Sequence, residues 1–316
     1  MPAFAASAPG KIILFGEHAV VYGRPAIAVP VTQVQARVTV SANPAAPQGQ
    51  VWLTSRETRL DGPLNALPAD HAFQAVVQGV LEATGVARLP AVRIQISSTI
   101  PVAAGLGSGA AVAAAMARAL AAFLGRRLSD EQVSEIAYQA DRKFHGAPSG
   151  IDNTVIAYAR PICFVKGQPF QFLAVPVPFS LVIAHTGIAS PTAAVVSDVR
   201  LRREANPPAF DRLFDAIAQV AAQARQAIET GQVTQLGPLM NRNHALLQEL
   251  TVSCPELDRL VTAATTAGAL GAKLSGGGRG GNMIALVEPD RAGAVEAALR
   301  AAGAVHTIRT TVAESR

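Results

Sequence analysis

Residues 9–23 (PGKIILFGEHAVVYG) bring three side chains that could do chemistry, Lys11, Glu17 and His18, together between glycines. On a strand that ends in a turn, Lys11 can point into a cleft, while Glu17 and His18 at the turn can bind a polar substrate. Each residue taken alone is more often structural, either a surface lysine or a histidine packed at a turn. The chemical hypothesis therefore depends on the other segments of the chain.

A second segment, residues 141–153 (DRKFHGAPSGIDN), carries two carboxylates, Asp141 and Asp152. Asp141 near the end of an amphipathic helix could bind a metal ion, and Asp152 after a glycine turn could act as a base toward a hydroxyl group. As isolated residues, Asp141 would more often be a solvated helix charge and Asp152 an N-cap. Together with a phosphate-binding loop and a cation, they form the set that phosphoryl transfer requires.

Residues 101–116 (PVAAGLGSGAAVAAAM) are the candidate phosphate-binding loop, with three glycines and Ser108 between a strand and an alanine-rich helix. Backbone N–H groups at such a turn, aimed by a helix N-terminus, bind phosphate oxygens, and glycine allows close approach. The glycines alone are equally compatible with a tight turn into a buried helix.

Two other nucleotide-binding motifs are weighed against this loop. Gly105, Gly107 and Ala110 match the GxGxxA dinucleotide fingerprint. The acid that this fingerprint requires about 20 residues later is missing, because the acidic residues found there lie in a helix-capping sequence. The chain contains no GxxxxGK followed by Ser or Thr, so a P-loop NTPase is excluded.

A second glycine loop spans residues 273–284 (KLSGGGRGGNMI), where Gly276, Gly278 and Gly281 again match GxGxxG. A strand-like segment follows, so the dinucleotide-binding context fails here too. Five glycines around one arginine predict a loop whose backbone packs close to a ligand or to another loop. Lys273, which opens this loop, and Lys11 are two of only four lysines in the chain.

A mixture of strands and helices must position these segments. Alternating hydrophobic residues predict strands, and hydrophobic residues three or four positions apart predict helices. The predicted strands are 26–40, 50–55, 92–97, 181–185, 270–274, 282–287 and 304–311. The predicted helices are 72–85, 110–124, 129–144, 192–204, 209–230, 233–250, 255–268 and 289–302. The turn-rich segments are 42–49 and 61–68.

Three regions need separate comment. Ser129 and Gln132 form a capping box at the start of one predicted helix. For residues 151–165 the pattern leaves open two strands or a helix followed by a strand. The proline-rich run 169–178 (PFQFLAVPVP) is a candidate domain boundary, and the order of elements from 255 to 311 suits a split βαβ, ferredoxin-like half.

The composition excludes several classes of protein. The chain has 316 residues, 50% hydrophobic and 16% charged, which excludes intrinsic disorder for most of its length. A net charge of +5 is modest for this length, and aromatic residues make up only 5%. We therefore expect neither nucleic acid nor a membrane as a partner.

The numbers and spacing of the cysteines and histidines exclude further classes of protein. Cys163 and Cys254 form no CxxC motif, so we expect no disulfide scaffold and no cysteine-based zinc site. The six histidines lack the spacing of a transition-metal site. No secretory leader is recognised, so a cytoplasmic location is the expectation.

Three motifs occur in a fixed order: PGKIILFGEHAVVYG at 9–23, PVAAGLGSGAAV at 101–112 and KLSGGGRGGN at 273–282. They resemble the three motifs of the GHMP family of small-molecule kinases, and the resemblance runs over nearly the whole chain. One glycine motif alone would be weak support, but three in this order are strong. Within the family, the first motif and HGAPSGIDN at 145–153 most resemble the mevalonate kinases.

This resemblance implies an α+β fold with two domains. An N-terminal, ATP-binding domain like ribosomal protein S5 domain 2 would cover residues 1–175, and a ferredoxin-like C-terminal domain would cover 176–316, with the substrate cleft between them. It implies ATP and Mg²⁺ as cofactors, and transfer of the γ-phosphoryl group to the 5-hydroxyl of (R)-mevalonate in isoprenoid biosynthesis. It also implies a homodimer.

The resemblance further implies roles for individual residues. Asp152 is similar to the catalytic aspartate that takes or orients the hydroxyl proton, and Lys11 to the lysine that stabilises the developing charge. The residues implied to bind the ATP phosphates are Pro101, Ala104, Gly105, Leu106, Gly107, Ser108, Gly109 and Ala110. The residues implied to bind mevalonate are Lys11, Glu17, His18, Asp152 and Thr186. The implied Mg²⁺ ligands are Ser108 and Asp141. The residues of the loop implied to close the site are Gly276, Gly277, Gly278 and Arg279.

Three positions depart from the family pattern. Asp141 is one methylene shorter than the usual glutamate, so it would bind Mg²⁺ either directly or through water. Gly109 replaces the second serine of the common GLGSSA, which leaves Ser108 as the only hydroxyl there. Arg279 interrupts a loop that is usually glycine or small, and we expect it to contact a phosphate or to point to solvent. None of these changes removes the base or the lysine, so an active kinase is expected.

Other functions are weighed against this one. The nearest is a GHMP kinase with another acceptor, such as phosphomevalonate or a sugar. A phosphomonoester acceptor should need an additional basic cluster, whereas the motifs offer His18 and no clear pair of arginines. A Rossmann-type oxidoreductase is disfavoured by the missing ribose acid, and a non-catalytic ligand-binding relative by the presence of both Lys11 and Asp152.

Overall fold

The computed structural model describes residues 2–101, 104–145, 149–190 and 192–314. Parts of two motifs, 102–103 and 146–148, lie outside these ranges. The chain forms two compact units that are interleaved in sequence. Unit 1 comprises Met1–Lys11, Val34–Val102 and Leu106–Ala159, and unit 2 comprises Ile12–Gln33, Ala103–Gly105 and Arg160–Arg316. The domain division predicted after residue 175 stays a prediction.

The strands and helices follow the order expected of a mixed α and β protein. The strands are β1 (Ala3–Phe15), β2 (Ala26–Ala42), β3 (Val51–Ser55), β4 (Leu60–Pro63), β5 (Val92–Ser98), β6 (Ile162–Phe164), β7 (Gln171–Phe172), β8 (Phe179–His185), β9 (Gly271–Ser275), β10 (Asn282–Val287) and β11 (His306–Val312). The α-helices are α1 (Ala72–Thr84), α2 (Ser108–Phe123), α3 (Asp130–His145), α4 (Ile151–Tyr158), α5 (Thr192–Ala205), α6 (Pro207–Glu229), α7 (Leu236–Glu249), α8 (Pro255–Thr266) and α9 (Ala292–Ala301).

Unit 1 combines strands with a group of four helices, α1 to α4, that pack on one another. Strand β3 pairs with β4 in antiparallel and with β5 in parallel orientation. Strand β5 also pairs with residues 36–42 of β2. Along β5, buried Val92, Ile94 and Ile96 alternate with exposed residues, as the sequence predicts for a strand with one solvated face.

The sequences of helices α2 and α3 in unit 1 explain why these helices form. Helix α2 is buried on nearly all sides, which its run of alanines and lack of charged faces predict. Helix α3 begins at the predicted capping box, where the backbone N–H of Ser129 donates to Gln132 Oε1 at 2.9 Å. In return, the backbone N–H of Gln132 donates to Ser129 Oγ at 3.2 Å, so this prediction is confirmed.

Unit 2 contains an antiparallel sheet with the strand order β11-β8-β10-β9. If these four strands are numbered 1 to 4 along the chain, their order in the sheet is 4-1-3-2, the order of a ferredoxin-like fold. The ferredoxin-like fold predicted for the C-terminal half is therefore confirmed. Helices α8 and α9 pack on these strands. Their inward faces join a hydrophobic core that includes Phe214, Leu257, Leu274 and Met283.

A few local predictions differ from the structure. Residues 61–68 are predicted as turn, yet their first part belongs to strand β4, which pairs with β3. Helix α6 begins at Pro207, two residues before the predicted start, because proline fits the first turn of a helix. The ambiguity at 151–165 resolves as helix α4 followed by strand β6. Among the described residues, none of the helices combines the length and the apolar character needed to cross a membrane.

Helix α7 and strand β9 of unit 2 approach each other at two glycines. A Cβ atom placed on Gly271 would lie 2.1 Å from the carbonyl oxygen of Gly237, and one placed on Gly237 would lie 2.2 Å from that of Leu270. Close to this crossing, Asn241 Oδ1 accepts a hydrogen bond of 2.9 Å from the backbone N–H of Ala272. Helix and strand are therefore in backbone contact, with no room for a side chain.

We expect Gly271→Ala to lower the free energy of unfolding by about 1–3 kcal/mol, because helix α7 must move away from β9 to accept the methyl group. Gly293→Ala is the matched control, since the nearest atom to its added Cβ is the Arg309 side chain at 4.0 Å. This control should be neutral or stabilising by up to about 1 kcal/mol. Urea unfolding of both variants checks the prediction, and equal stability of the two would contradict it.

Candidate active site

In unit 1, the side chains of Lys11 and Asp152 form an ion pair. Lys11 Nζ lies 2.9 Å from Asp152 Oδ1, and the side chains are 8% and 32% exposed. Asp152 stands in the first turn of α4, where the helix dipole favours a carboxylate. The carboxylate thus combines a buried cation on one side with partial access to solvent, which a proton acceptor for a bound hydroxyl needs.

The stem of Lys11 is held in place by the start of helix α2. The backbone N–H of Lys11 donates to the carbonyl oxygen of Leu106 at 3.0 Å. Gly107 has φ 73°, and a Cβ there would lie 2.7 Å from Ile156 Cδ1 and 2.9 Å from Lys11 Cγ. Only glycine allows this turn and the close contact with Lys11 together.

The residues predicted to bind phosphate lie around this turn. Helix α2 begins at Ser108, with Gly107 as its N-cap, so the N–H groups of Ser108, Gly109 and Ala110 form its first turn. The first N–H groups of a helix lack partners within it and form a ready site for an anion. A Cβ placed on Gly109 would point into open space, with no described atom beyond its own helix within 4 Å. Pro101 is half-buried just before the loop.

The predicted Mg²⁺ ligands, Ser108 and Asp141, lie on helices α2 and α3 of unit 1, which pack together. Asp141 is half-buried. One carboxylate and one hydroxyl fit the usual protein contribution to a Mg²⁺ site, because this ion prefers oxygen ligands and keeps several waters and substrate phosphate oxygens. Within the part of the chain that the structure describes, no group of three or more His, Cys, Asp or Glu is placed to hold a metal ion.

In unit 2, Glu17 forms a buried ion pair with Lys273. The two side chains are 1% and 0% exposed, and Lys273 Nζ donates to Glu17 Oε1. It also donates to the carbonyl oxygen of Leu274 at 2.7 Å. Burial raises the pKa of Glu17 and lowers the pKa of Lys273, while the contact between the two opposes both shifts. The sequence-based assignment of Glu17 to substrate binding stays a prediction.

His18 follows Glu17 in the chain and has a positive φ of 61°. Its Nε2 lies 3.0 Å from the carbonyl oxygen of Gly277. Because a carbonyl only accepts, Nε2 carries the proton, and Nδ1 of the neutral ring is left as an acceptor. Burial lowers the pKa of His18 to about 4, the nearby Arg279 cation lowers it as well, and the hydrogen bond to Gly277 opposes both.

The second glycine loop packs closely against residues 186–190 of unit 2, one of the two alternatives that its composition predicts. Thr186 Oγ1 donates to the carbonyl oxygen of Gly281 at 3.1 Å and accepts from the backbone N–H of Ile188 at 3.2 Å. Ser190 Oγ donates to the carbonyl oxygen of Gly278 at 2.8 Å. The hydroxyl of Thr186 therefore keeps one lone pair free to accept a further hydrogen bond.

Arg279 is held by partners that the sequence does not predict. Its Nε donates to the carbonyl oxygen of Thr251 at 3.1 Å, and its Nη2 donates to Asp198 Oδ2. The side chain is therefore not free in solvent, and the predicted phosphate contact stays a prediction. Gly276, the first glycine of this loop, has φ 91°.

Sequence reasoning missed three side chains that shape this region. Lys273 carries a signal, because it is one of four lysines and lies in a glycine motif, but its partner lies 256 positions away. Asp198 on α5 has no recognisable motif around it. Asn282, at the end of the third motif, donates from Nδ2 to the carbonyl oxygen of Ala104, and both residues belong to unit 2.

Two models of a known protein family match the chain. The model of the GHMP kinases N terminal domain matches residues 71–160, and that of the GHMP kinases C terminal domain matches residues 224–305. The chain belongs to the GHMP kinase family. The family resemblance read from the sequence is thereby confirmed.

The most similar curated relatives of this GHMP kinase include archaeal mevalonate kinases. That of Pyrococcus horikoshii is 36% identical, over 96% of this chain and 94% of its own length. That of Saccharolobus solfataricus is 33% identical, over 89% of each chain. Both alignments cover nearly the whole of each protein.

Solved structures show the same similarity. A crystal structure of L. major mevalonate kinase in complex with R-mevalonate matches with a TM-score of 0.84 and 34% identity, over 98% of this chain and 96% of that one. The Methanococcus jannaschii mevalonate kinase matches with a TM-score of 0.84 at 24% identity, over 100% and 99% of the chains, which supports the fold alone.

We expect His18→Gln to reduce the acid sensitivity of this GHMP kinase. The pKa of His18 is about 4 in the folded protein, whereas an unperturbed histidine, as in the unfolded chain, has a pKa of 6.5. Between these two pH values the unfolded chain therefore binds more protons than the folded protein. Native His18 therefore contributes stability that is complete above pH 6.5 and lost, by about 3 kcal/mol, as pH falls toward 4. Glutamine can still donate to Gly277 but does not titrate.

Urea unfolding at a series of pH values between 4 and 7 measures this effect. The variant should show a shallower fall in the free energy of unfolding than the native protein. An unchanged slope in His18→Gln would contradict the neutral, buried state of His18.

Proposed function

We propose that this GHMP kinase is a mevalonate kinase that transfers the γ-phosphoryl group of ATP to the 5-hydroxyl of (R)-mevalonate. The observation that carries the proposal is the ion pair of 2.9 Å between Lys11 and Asp152 at the first turn of α4. Relatives named mevalonate kinase, 36% identical over nearly their whole length, support the choice of acceptor.

Asp152 is the proposed base. In phosphoryl transfer the acceptor hydroxyl must lose its proton as it attacks the phosphorus, and a carboxylate within hydrogen-bond reach accepts or orients that proton. Part of such a base must stay accessible to the substrate. The 32% exposure of the Asp152 side chain meets this need, whereas Glu17, another carboxylate considered for the site, is only 1% exposed.

Lys11 is the proposed electrostatic partner of the reaction. Its ammonium group lies against Asp152 and is 8% exposed, so its charge is poorly screened by water. A fixed cation at this place favours the negative charge that develops on the acceptor oxygen and the transferred group. Because the stem of Lys11 is held under Gly107, the ammonium group needs no rearrangement before it acts.

The start of helix α2 is the proposed binding site for the phosphates of ATP. Its first N–H groups and the hydroxyl of Ser108 are the donors, supported by the glycines on either side. We assign Mg²⁺ to Ser108 and Asp141, with Asp141 bound directly or through water. When bound, the ion neutralises phosphate charge and so lowers the electrostatic barrier to attack.

The residues of unit 2 have proposed roles in substrate binding. Neutral His18 offers Nδ1 as an acceptor for a substrate hydroxyl, and Thr186 offers one free lone pair. The other residues of unit 2 proposed for the region that binds the substrate are Glu17, Gly276, Gly277, Gly278 and Arg279. The homodimer and the cytoplasmic location stay predictions from the family resemblance.

The first test measures ADP release by the purified protein with MgATP and each of mevalonate, 5-phosphomevalonate, galactose and homoserine. We expect turnover on mevalonate alone, with mass spectrometry identifying the 5-phosphate as the product. Turnover confined to another acceptor would keep the kinase chemistry but overturn the proposed substrate. Omission of Mg²⁺ should abolish turnover, and its addition should restore it.

The second test replaces the reacting pair. Asp152→Asn should lower kcat by about 10²- to 10⁴-fold, the range expected for loss of a general base. Lys11→Met keeps the stem under Gly107 and removes the charge, so kcat should fall by about 10²- to 10³-fold. The double variant should be little worse than the less active single one, because the two groups act as a unit.

Asp130→Asn is the matched control, since Asp130 also forms an ion pair in unit 1, at 2.7 Å from Arg118. Its kcat should stay native. Melting temperatures separate loss of activity from loss of fold in all four variants. Full turnover by folded Asp152→Asn would remove Asp152 from the role of base.

A further inference from the structure

Arg279 occupies a backbone conformation that arginine rarely adopts. Its φ is 53°, in the left-handed region, and the flanking Gly278 and Gly280 also have positive φ, 80° and 132°. A residue with a Cβ is disfavoured there by roughly 1–2 kcal/mol relative to glycine. Such strain persists only where neighbouring contacts hold the residue in place.

Three hydrogen bonds hold Arg279 in this conformation. Its backbone N–H donates to the carbonyl oxygen of Val252 at 2.8 Å, and its Nε donates to that of Thr251 at 3.1 Å. Its Nη2 reaches Asp198 on helix α5, where the two side chains are each 33% exposed. The planar guanidinium thus ties the middle of the glycine loop to α5 and to the segment after α7.

The same loop presents the carbonyl group that sets the state of His18. The carbonyl oxygen of Gly277, two residues before Arg279, accepts the proton of His18 Nε2. Gly278 lies between them, and a Cβ there would be 2.0 Å from the carbonyl oxygen of Val252. The position of the Gly277 carbonyl therefore depends on how firmly this stretch is held on the 251–252 segment.

We propose that Arg279 and Asp198 are positioning residues that hold the Gly277 carbonyl against His18, so that the imidazole keeps Nε2 protonated and Nδ1 free to accept from the acceptor substrate. This inference rests on the proposed role of His18 in substrate binding. It assigns Arg279 the role of holding the loop, because Nε and Nη2 of its guanidinium group are engaged by Thr251 and Asp198.

The charge environment of His18 agrees with this arrangement. The Arg279 cation disfavours a second proton on the imidazole, and burial acts in the same direction on its pKa. The neighbouring Glu17 carboxylate is paired with Lys273, so it does not stabilise an imidazolium ion in its place. Loss of the Arg279 cation should therefore make His18 easier to protonate.

The kinetic test uses Arg279→Met, Asp198→Asn and the double variant. Each single change should raise KM for mevalonate by about tenfold, equivalent to about 1.4 kcal/mol, with kcat and KM for ATP within about threefold of native. The double variant should match the single ones, because both changes break the same tie. Arg202→Met is the control, since Arg202 binds the same carboxylate at 3.0 Å from the exposed side of α5; it should leave all three constants unchanged.

The second measurement needs no substrate. Nitrogen-15 NMR of the free protein should show His18 as the Nε2–H tautomer in the native chain and a mixture of tautomers in Arg279→Met and Asp198→Asn. The pKa of His18 should rise from about 4 in Arg279→Met. If Arg279→Met does not fold, Arg279→Gly replaces it, because glycine adopts the required φ without strain.

Two results would overturn the proposal. One is a large increase in KM for ATP in the Arg279 variants with no effect of Asp198→Asn, which would indicate a phosphate contact. The other is a native Nδ1–H tautomer, or a tautomer that neither change alters. If the native protein does not phosphorylate mevalonate, the proposed function fails, while the NMR result still decides whether Arg279 and Asp198 position His18.

Discussion

The buried ion pair of Glu17 and Lys273 is the interaction on which the candidate binding residues of unit 2 depend. Removing either partner would leave the other charge buried and uncompensated, which costs about 3–5 kcal/mol. The pair fastens the turn that carries His18 to the strand β9 that leads into the glycine loop. The hydrogen bond between His18 and Gly277 requires both ends of that connection.

In unit 1, close packing around Gly107 holds the side chain of Lys11 in position. The stem of Lys11 fills the space that a side chain at residue 107 would take, and Ile156 on α4 closes the same space from the other side. The start of α2, with its N–H groups, and helix α4, which carries Asp152, therefore share one packing contact. Bulk at position 107 would disturb the cation, the phosphate-binding turn and the helix that carries Asp152 together.

Local patterns predict most of the elements, because periodicity, capping and turn residues act over a few positions. The capping box of α3 and the buried alanine helix α2 follow from such patterns. Strand β4 does not, since its Asp-Gly-Pro sequence is typical of a turn and only pairing with β3 makes it a strand. The Glu17–Lys273 and Arg279–Asp198 pairs join residues 256 and 81 positions apart, and no single-sequence signal specifies such partners.

The burial of two lysines gives the molecule an unusual pattern of amine reactivity. Lys11 and Lys273 are 8% and 0% exposed and engaged with carboxylates, whereas Lys143 and Lys166 lie at the surface. Apart from the chain's own amino terminus, acylating reagents thus find one accessible amine in each unit, on the C-terminal part of α3 and just after β6. Fluorophores or surface linkers can be attached at these two positions without modifying the side chains that carry the chemistry.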